Sequence, residues 1–449
     1  MKRKIWIVGV LFFLMPWIAG QEKKWTLEDC INYAVANNIG LQRQRLQTET
    51  AETNYLKSKM DLLPSLNLGS DARVGFGRSV DPVTNLITFK QNLSNSYSLN
   101  TNLQLFSGFA TLNTISASKF LLKAGLESEK VARNSLIVDI LGQYYQVLYA
   151  RGLEEAAKLQ LDLSEKQHYR IVKMVENGRE ALSRQYEMES QVSADRLAYT
   201  VARNSANQAV TLMKQMLQLE PREEFDIQLP DLKNMPVPDR SFNIDSVFNV
   251  AINTLPRLKA IEFELKALEK QISAAKGGIM PNLSVGGAVY TGYYKVVSED
   301  AGIQPSFSDQ IKNNNSQAVY LSLGIPIFNN FVNGRNIKIA KIRKSDAELR
   351  LEQERNSLYT EIENACLDYN RGKDEFLAAK SNNEFNIRSF DAVEKKFEAG
   401  LVDVTDYSAA KTTLYRAETE ALRTKLQLLV RRLTISFYTT GEYENLIFN

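Results

Sequence analysis

Two hydrophobic periods alternate along this chain. Ile137, Leu141, Tyr144 and Leu148 recur at i, i+4, i+7 and i+11, and Leu414, Ala417, Ala421, Thr424 and Leu428 at i, i+3, i+7, i+10 and i+14. Both spacings draw one apolar stripe along a helix, as in a coiled coil or on the core face of an ordinary bundle. Four other segments have period two. Leu66, Leu68, Ala72, Val74 and Phe76 alternate with Asn67, Gly69, Asp71, Arg73 and Gly75, and Tyr97, Leu99, Leu103 and Leu105 with Ser98, Asn100, Asn102 and Gln104. Leu283, Val285 and Val289 alternate with Ser284, Gly286 and Ala288, and Val319, Leu321, Leu323, Ile325 and Ile327 with Ala318, Tyr320, Ser322 and Gly324. The pattern predicts strands over 64–77, 95–107, 281–294 and 316–328. One apolar face and one small or polar face suits an outer-membrane strand, and equally a half-buried strand on a soluble core.

The chain is written twice. Leu63-Pro64-Ser65-Leu66 returns 217 residues later as Met280-Pro281-Asn282-Leu283, and Ala34 and Leu41 match Ala251 and Leu258 at the same shift. Leu105-Phe106 and Phe109 then match Ile327-Phe328 and Phe331, and Glu176-Asn177-Gly178 matches Glu398-Ala399-Gly400, both shifted by 222. The five extra residues fall between the Pro-centred and Phe-centred motifs, and the second of two long polar loops, 78–94 and 295–315, is the expected place for them. The repeats read as 21–220 and 243–441, with a linker at 221–242 and a tail at 442–449. Pro221, Pro230, Pro236 and Pro238 crowd that linker, whereas none of the 11 prolines lies between Pro82 and Pro221 or beyond Pro326. Proline breaks helices, so those stretches permit long ones. A helix from Gly108 to about Met174 would reach roughly 100 Å at 1.5 Å per residue. A rod of that length spans a distance.

Composition narrows the function. Residues 1–20 have a basic start (Lys2, Arg3, Lys4), an apolar run from Ile5 to Ile18 and small Ala19-Gly20, the layout of an export signal, with a single membrane anchor as the alternative. Removing them takes the formal net charge from +3 to zero, which argues against nucleic acid as a partner. One histidine and two cysteines leave little for a metal site, a Cys/His nucleophile or a disulfide framework. His168 has no second ligand nearby and reads as a surface or packing residue. Cys30 and Cys366 read as buried apolar residues, their pairing left open. No catalytic, cofactor or metal site is expected. Four strands cannot close a barrel, since bacterial barrels begin at about eight, so a membrane reading requires several copies.

At this point the sequence resembles the TolC-like outer-membrane efflux proteins over essentially its whole length. The resemblance rests on Thr26-Leu27-Glu28-Asp29 followed by Ala34, the two Pro-centred turns, Leu323-Gly324-Ile325-Pro326-Ile327-Phe328 and, most specifically, Phe397-Glu398-Ala399-Gly400-Leu401-Val402-Asp403-Val404-Thr405-Asp406. It implies an α+β membrane protein: a homotrimer with four strands per chain in a twelve-stranded barrel against outer-membrane lipid, and an α-helical barrel of long antiparallel coiled coils in the periplasm. It also implies a periplasmic adaptor and an inner-membrane transporter as partners. The chain itself would be a passive exit duct for small toxic compounds. The runner-up is the outer-membrane component of a type I protein secretion system, and a soluble periplasmic coiled-coil adaptor is the rival from another class.

The resemblance places the periplasmic tips, where the adaptor docks, at Gly178, Arg179, Gly400 and Leu401. It places a gate constriction at Asp406, and the opposite charges of the matching tips add Asp403 and Arg184 to it. The chain departs from the family pattern here. The second acidic ring position is Ala409, an acid expected after the first turn is Arg184, and a base expected after the second is Val402. A substitute pairing of Arg179 or Arg184 with Asp403 or Asp406 is the expectation.

Overall fold

The computed structural model describes residues 24–80, 85–220, 222–228, 242–297 and 304–440. The export signal, most of the linker and the tail lie outside the described residues. Each copy opens with two helices. Thr26 caps α1 (Leu27–Asn37) in a reciprocal box with Asp29, each side chain taking the other's backbone N–H at 3.1 Å. Asn38 caps α2 (Ile39–Met60) through the Leu41 N–H. Then come strand β1 (Ser65–Gly75), a two-residue hairpin of β2 (Ser79–Val80) and β3 (Ile87–Thr88), strand β4 (Gln91–Ser107), and the helices α3 (Ala110–Glu176) and α4 (Leu182–Leu217). The second copy repeats them as α5 (Ile244–Thr254), α6 (Pro256–Gly277), β5 (Asn282–Val297), α7 (Phe307–Asn313), β6 (Ser316–Gly324), α8 (Val332–Glu398) and α9 (Val404–Thr440). The helix starts keep the spacings seen in the sequence: 217 residues from Leu27 to Ile244 and from Ile39 to Pro256, then 222 from Ala110 to Val332 and from Leu182 to Val404.

Both α3 and α8 run 67 residues, which is about 100 Å of continuous helix. Rods that long are stable only where neighbours cover them. The stripe Ile137, Leu141, Tyr144 and Leu148 is buried as its spacing predicts. Ile137, Tyr144 and Leu148 face α1, α4 and α9 in a core that includes Cys30, Met213 and Leu429. The second copy packs its own core, Val247, Leu258, Leu358, Cys366 and Tyr369, against α9 residues Leu428 and Ile435. The two cysteines are therefore free thiols in separate cores. Burial pushes the Cys30 thiol up to about 12, which keeps it protonated and unreactive at neutral pH.

The four long strands form one antiparallel sheet in the order β1-β4-β5-β6. Two sequence expectations need correcting. The alternation breaks at Leu105, which has no partner in the ladder: a bulge between Gln104 and Phe106 sets Phe106 opposite Leu283. The Gln104 amide donates to the Phe106 and Leu283 carbonyls across that bulge, at 2.7 and 3.1 Å. The last strand ends at Gly324 and not at Phe328, consistent with Pro326 having no N–H to offer a ladder.

Strand-to-helix joints are built alike in the two copies. Gly108-Phe109 and Asn330-Phe331 all take left-handed backbone, with φ of 60, 63, 53 and 59°. Phe106 and Phe328 meet Phe109 and Phe331 edge-on.

Candidate functional site: a two-faced sheet and the hairpin tips

Residues opposite one another in a sheet share a face. The register sets Leu68 opposite Leu99, Leu99 opposite Val289, Leu103 opposite Val285, Val285 opposite Leu321 and Leu283 opposite Leu323. The reverse face sets Asn67 opposite Asn100, Gly69 opposite Ser98, Ser98 opposite Tyr290 and Ser284 opposite Ser322. All four strands thus align one mainly apolar face and one face rich in amides, hydroxyls and glycine, which also carries Asp71 and Arg73. The apolar face is uncovered: Leu68 is 79% exposed and Val319 86%. A soluble half-buried sheet would have buried that side, and here the core lies among the helices instead. The sheet also has two free edges, one on β1 and one on β6. Among the described residues, no helix is long and apolar enough to cross a membrane.

Beyond the end of β6 the free side of β5 is occupied by side chains. The Gln310 amide donates to the Tyr294 carbonyl at 3.0 Å and its oxygen accepts the Tyr294 N–H at 2.9 Å. Gln304 does the same for Val296, at 2.9 and 3.0 Å. Two glutamines continue the ladder that β6 leaves off.

At the far end of the molecule both hairpins turn in the same way. The Gly178 N–H donates to the Val175 carbonyl at 2.9 Å and the Arg179 N–H to the Met174 carbonyl at 2.8 Å. Gly400 and Leu401 repeat this on Phe397 and Lys396, at 3.1 and 2.9 Å. These are Schellman helix ends, which need a left-handed residue after the cap, and the glycines supply φ of 67 and 74°. A Cβ at either position would meet nothing within 4 Å, so only the backbone conformation demands glycine. Gly178→Ala and Gly400→Ala should each cost about 1–2 kcal/mol of local stability. Faster hydrogen exchange confined to the tip peptides would confirm it; an unchanged tip would contradict it.

Arg179 and Leu401 are exposed beside their glycines. Asp403 caps α9, its Oδ1 accepting the Asp406 N–H at 2.8 Å. Arg184 pairs with Glu180 one turn back, at 3.2 Å. Within one protomer, no ion pair among the described residues joins Arg179 or Arg184 to Asp403 or Asp406. Beside the tips the hairpins are joined instead through Arg170 on α3, which donates to the Glu398 carbonyl at 2.7 Å and lies 3.6 Å from its carboxylate. Val402, where the family pattern expects a base, packs against the apolar tip core of Ile171, Met188, Phe390, Phe397, Val404, Tyr407 and Leu414.

An uncovered apolar sheet of four strands, too few to close alone, thus joins two helical hairpins whose longer arms each run 67 residues. A family model described as outer membrane efflux protein matches residues 30–217 and 247–441. The chain belongs to the outer membrane efflux protein family. Members of this family are not enzymes but outer-membrane channels of tripartite export systems, and they extend into the periplasm. An uncharacterised protein of Haemophilus influenzae is 23% identical over 94% of this chain and 90% of its own length. The toxin and drug export protein A of Aggregatibacter actinomycetemcomitans is 20% identical over 93% and 86%. Among solved structures, the CmeC outer membrane channel of Campylobacter jejuni superposes with a TM-score of 0.76, covering 94% of this chain and 88% of its own at 16% identity. That likeness establishes the shared fold of two repeats and four antiparallel strands.

The sequence did not reveal a buried ammonium. Lys411 on α9 is 1% exposed, and its Nζ bonds the Asp195 carboxylate of α4 and the Ser164 hydroxyl of α3. Back from Leu414 the buried face continues through Lys411, Tyr407 and Val404, at steps of three and four residues. A lysine at such a seam position was the available signal.

Proposed function

We propose that this efflux channel is a homotrimer whose three sheets join edge to edge, β6 of one copy against β1 of the next, into a twelve-stranded barrel. The observation that carries the reading is the sheet: one continuous apolar face, two free edges and too few strands to close. Below it, α3 packs on α4 and on α9, while α9 packs on α8, so α4 and α8 flank each protomer's pair of hairpins. Exposed Leu182, Tyr186, Leu197, Val201 and Leu212 on α4, and Leu367, Leu377 and Phe385 on α8, then pack between copies.

The polar face lines the bore, and conduction through it is passive, driven by the inner-membrane pump. The adaptor docks at Gly178, Arg179, Gly400 and Leu401. Asp403 and Asp406 from three copies form the constriction. Arg179, which has no ion-pair partner among the described residues, meets Asp406 of a neighbouring copy, and Arg184 on its Glu180 flanks the ring. The cargo is small toxic compounds, consistent with the word "drug" in the name of a relative of similar length. The word "toxin" in the same name keeps type I secretion as the second reading.

A photo-reactive residue in place of Leu401, crosslinked in native membranes, tests this. Capture of an adaptor together with a proton-driven pump is the expected result. Capture of an adaptor with an ATP-binding cassette transporter would move the assignment to secretion. No capture, from a chain that needs no detergent for extraction, would overturn the duct.

A further inference from the structure

Three helices from both hairpins meet at Lys411. Its ammonium bonds the Asp195 carboxylate and the Ser164 hydroxyl and lies 3.5 Å from the Gln160 carbonyl. The Ser164 hydroxyl donates to the same carboxylate oxygen, and the other oxygen of Asp195 accepts the Gln191 amide at 3.0 Å. Ser164 is wholly buried, and the Oε1 of Gln160 is buried without a partner among the described residues. Burial pushes the Lys411 ammonium below the ordinary lysine value, and the bond to Asp195 opposes that. Lys411 is the one cation among the described residues that is both fully buried and ion-paired.

A polar layer in a coiled coil fixes register, because only one alignment satisfies it. Sliding α9 by a turn against α3 and α4 would bring Tyr407 or Leu414 to the level of Asp195. That would leave the carboxylate and the ammonium buried and unpaired, a penalty of about a hundredfold or more in population. The apolar tip core imposes no comparable discrimination, since Ile171, Met188, Phe390 and Phe397 contact their neighbours without direction.

We propose that Lys411 is the positioning residue of the gate: it locks α9 to the first hairpin at a single register and makes its own level the upper limit of tip opening. The inference rests on the reading of the tips as the gated end. The segment that moves is then Val402–Ala410 with the end of α8, and α9 from Thr412 upward stays with the shaft.

Hydrogen exchange on the intact, detergent-purified protein reads the boundary directly. Peptides from 402–410 should exchange at least tenfold faster than those from 412–424. Lys411→Met combined with Asp195→Leu replaces the layer with apolar packing that has no preferred register. It should erase that step and raise the conducting fraction in planar bilayers at least threefold, while Lys411→Arg, which keeps the charge, should retain the wild-type fraction. A double variant with wild-type exchange and wild-type gating would overturn the lock. Should the double variant fail to assemble, the wild-type profile decides alone, a uniform profile across 402–424 counting against the lock. Wild-type protein that never conducts would refute the duct, and the exchange boundary would then decide the role of Lys411 by itself.

Discussion

Leu321→Arg should abolish assembly in the outer membrane, while Ser322→Arg, one residue on, should not. The two side chains are both exposed in the single chain, so burial within a protomer does not distinguish them. Register does. Leu321 lies opposite Val285, which lies opposite Leu103, on the face that bears Leu68, Leu99 and Val319. Ser322 lies opposite Ser284 on the face of Asn67, Ser98 and Asn100. An arginine on the lipid-facing side of such a barrel costs up to about 2–4 kcal/mol, depending on depth. A closed barrel of three copies would carry that three times, which is comparable with the whole stability of an ordinary domain. The same charge in the bore keeps its water. The measurement is the heat-resistant oligomer band from outer-membrane fractions, with single-channel recording of whatever assembles. Leu321→Arg should leave no such band. Ser322→Arg should give a normal band and a pore shifted toward anions. Equal behaviour of the two variants would refute the assignment of faces.

That contrast also marks what the sequence could disclose. Period-two alternation discloses most of the apolar set, because lipid and bore impose opposite chemistry on adjacent positions. The repeat was legible for a related reason: the two copies repeat the same turns, and turns such as Glu176-Asn177-Gly178 and Glu398-Ala399-Gly400 demand particular residues. What escaped were features that depend on long-range pairing. The bulge at Leu105 depends on the partner strand, and nothing in Leu103-Gln104-Leu105-Phe106 announces it. Ser164, Asp195 and Lys411 are distant in sequence and ordinary one by one; only the crossing of three helices makes them a site. The short helix α7 escaped too, hidden in a loop whose polar composition reads as irregular.

Gly108, at the joint between barrel and shaft, should be the least tolerant of the described glycines. Gly108 has a φ of 60°, and a Cβ there would come within 2.5 Å of the Gly277 carbonyl oxygen and 2.6 Å of the Met280 Cβ. Gly277 returns the constraint, its own Cβ meeting the Gly108 carbonyl oxygen at 2.7 Å and the Ala110 Cβ at 2.8 Å. The end of α6 and the start of α3 thus touch backbone to backbone where the sheet passes into the long helices. The second copy separates the two causes. Asn330 holds the equivalent place at φ 53°, so left-handed backbone by itself admits asparagine there. Gly108→Asn therefore measures the close approach with little conformational penalty, and Gly108→Val adds a β-branched residue in a region it avoids. Gly108→Asn should cost about 2–3 kcal/mol and Gly108→Val about 4 kcal/mol or more, the range reserved for overpacked or strained sites. Asn330→Gly should be nearly silent. Dissociation temperature of the purified oligomer reads all three, and a Gly108→Asn protein as stable as wild type would show that α6 and α3 can part at that joint without loss.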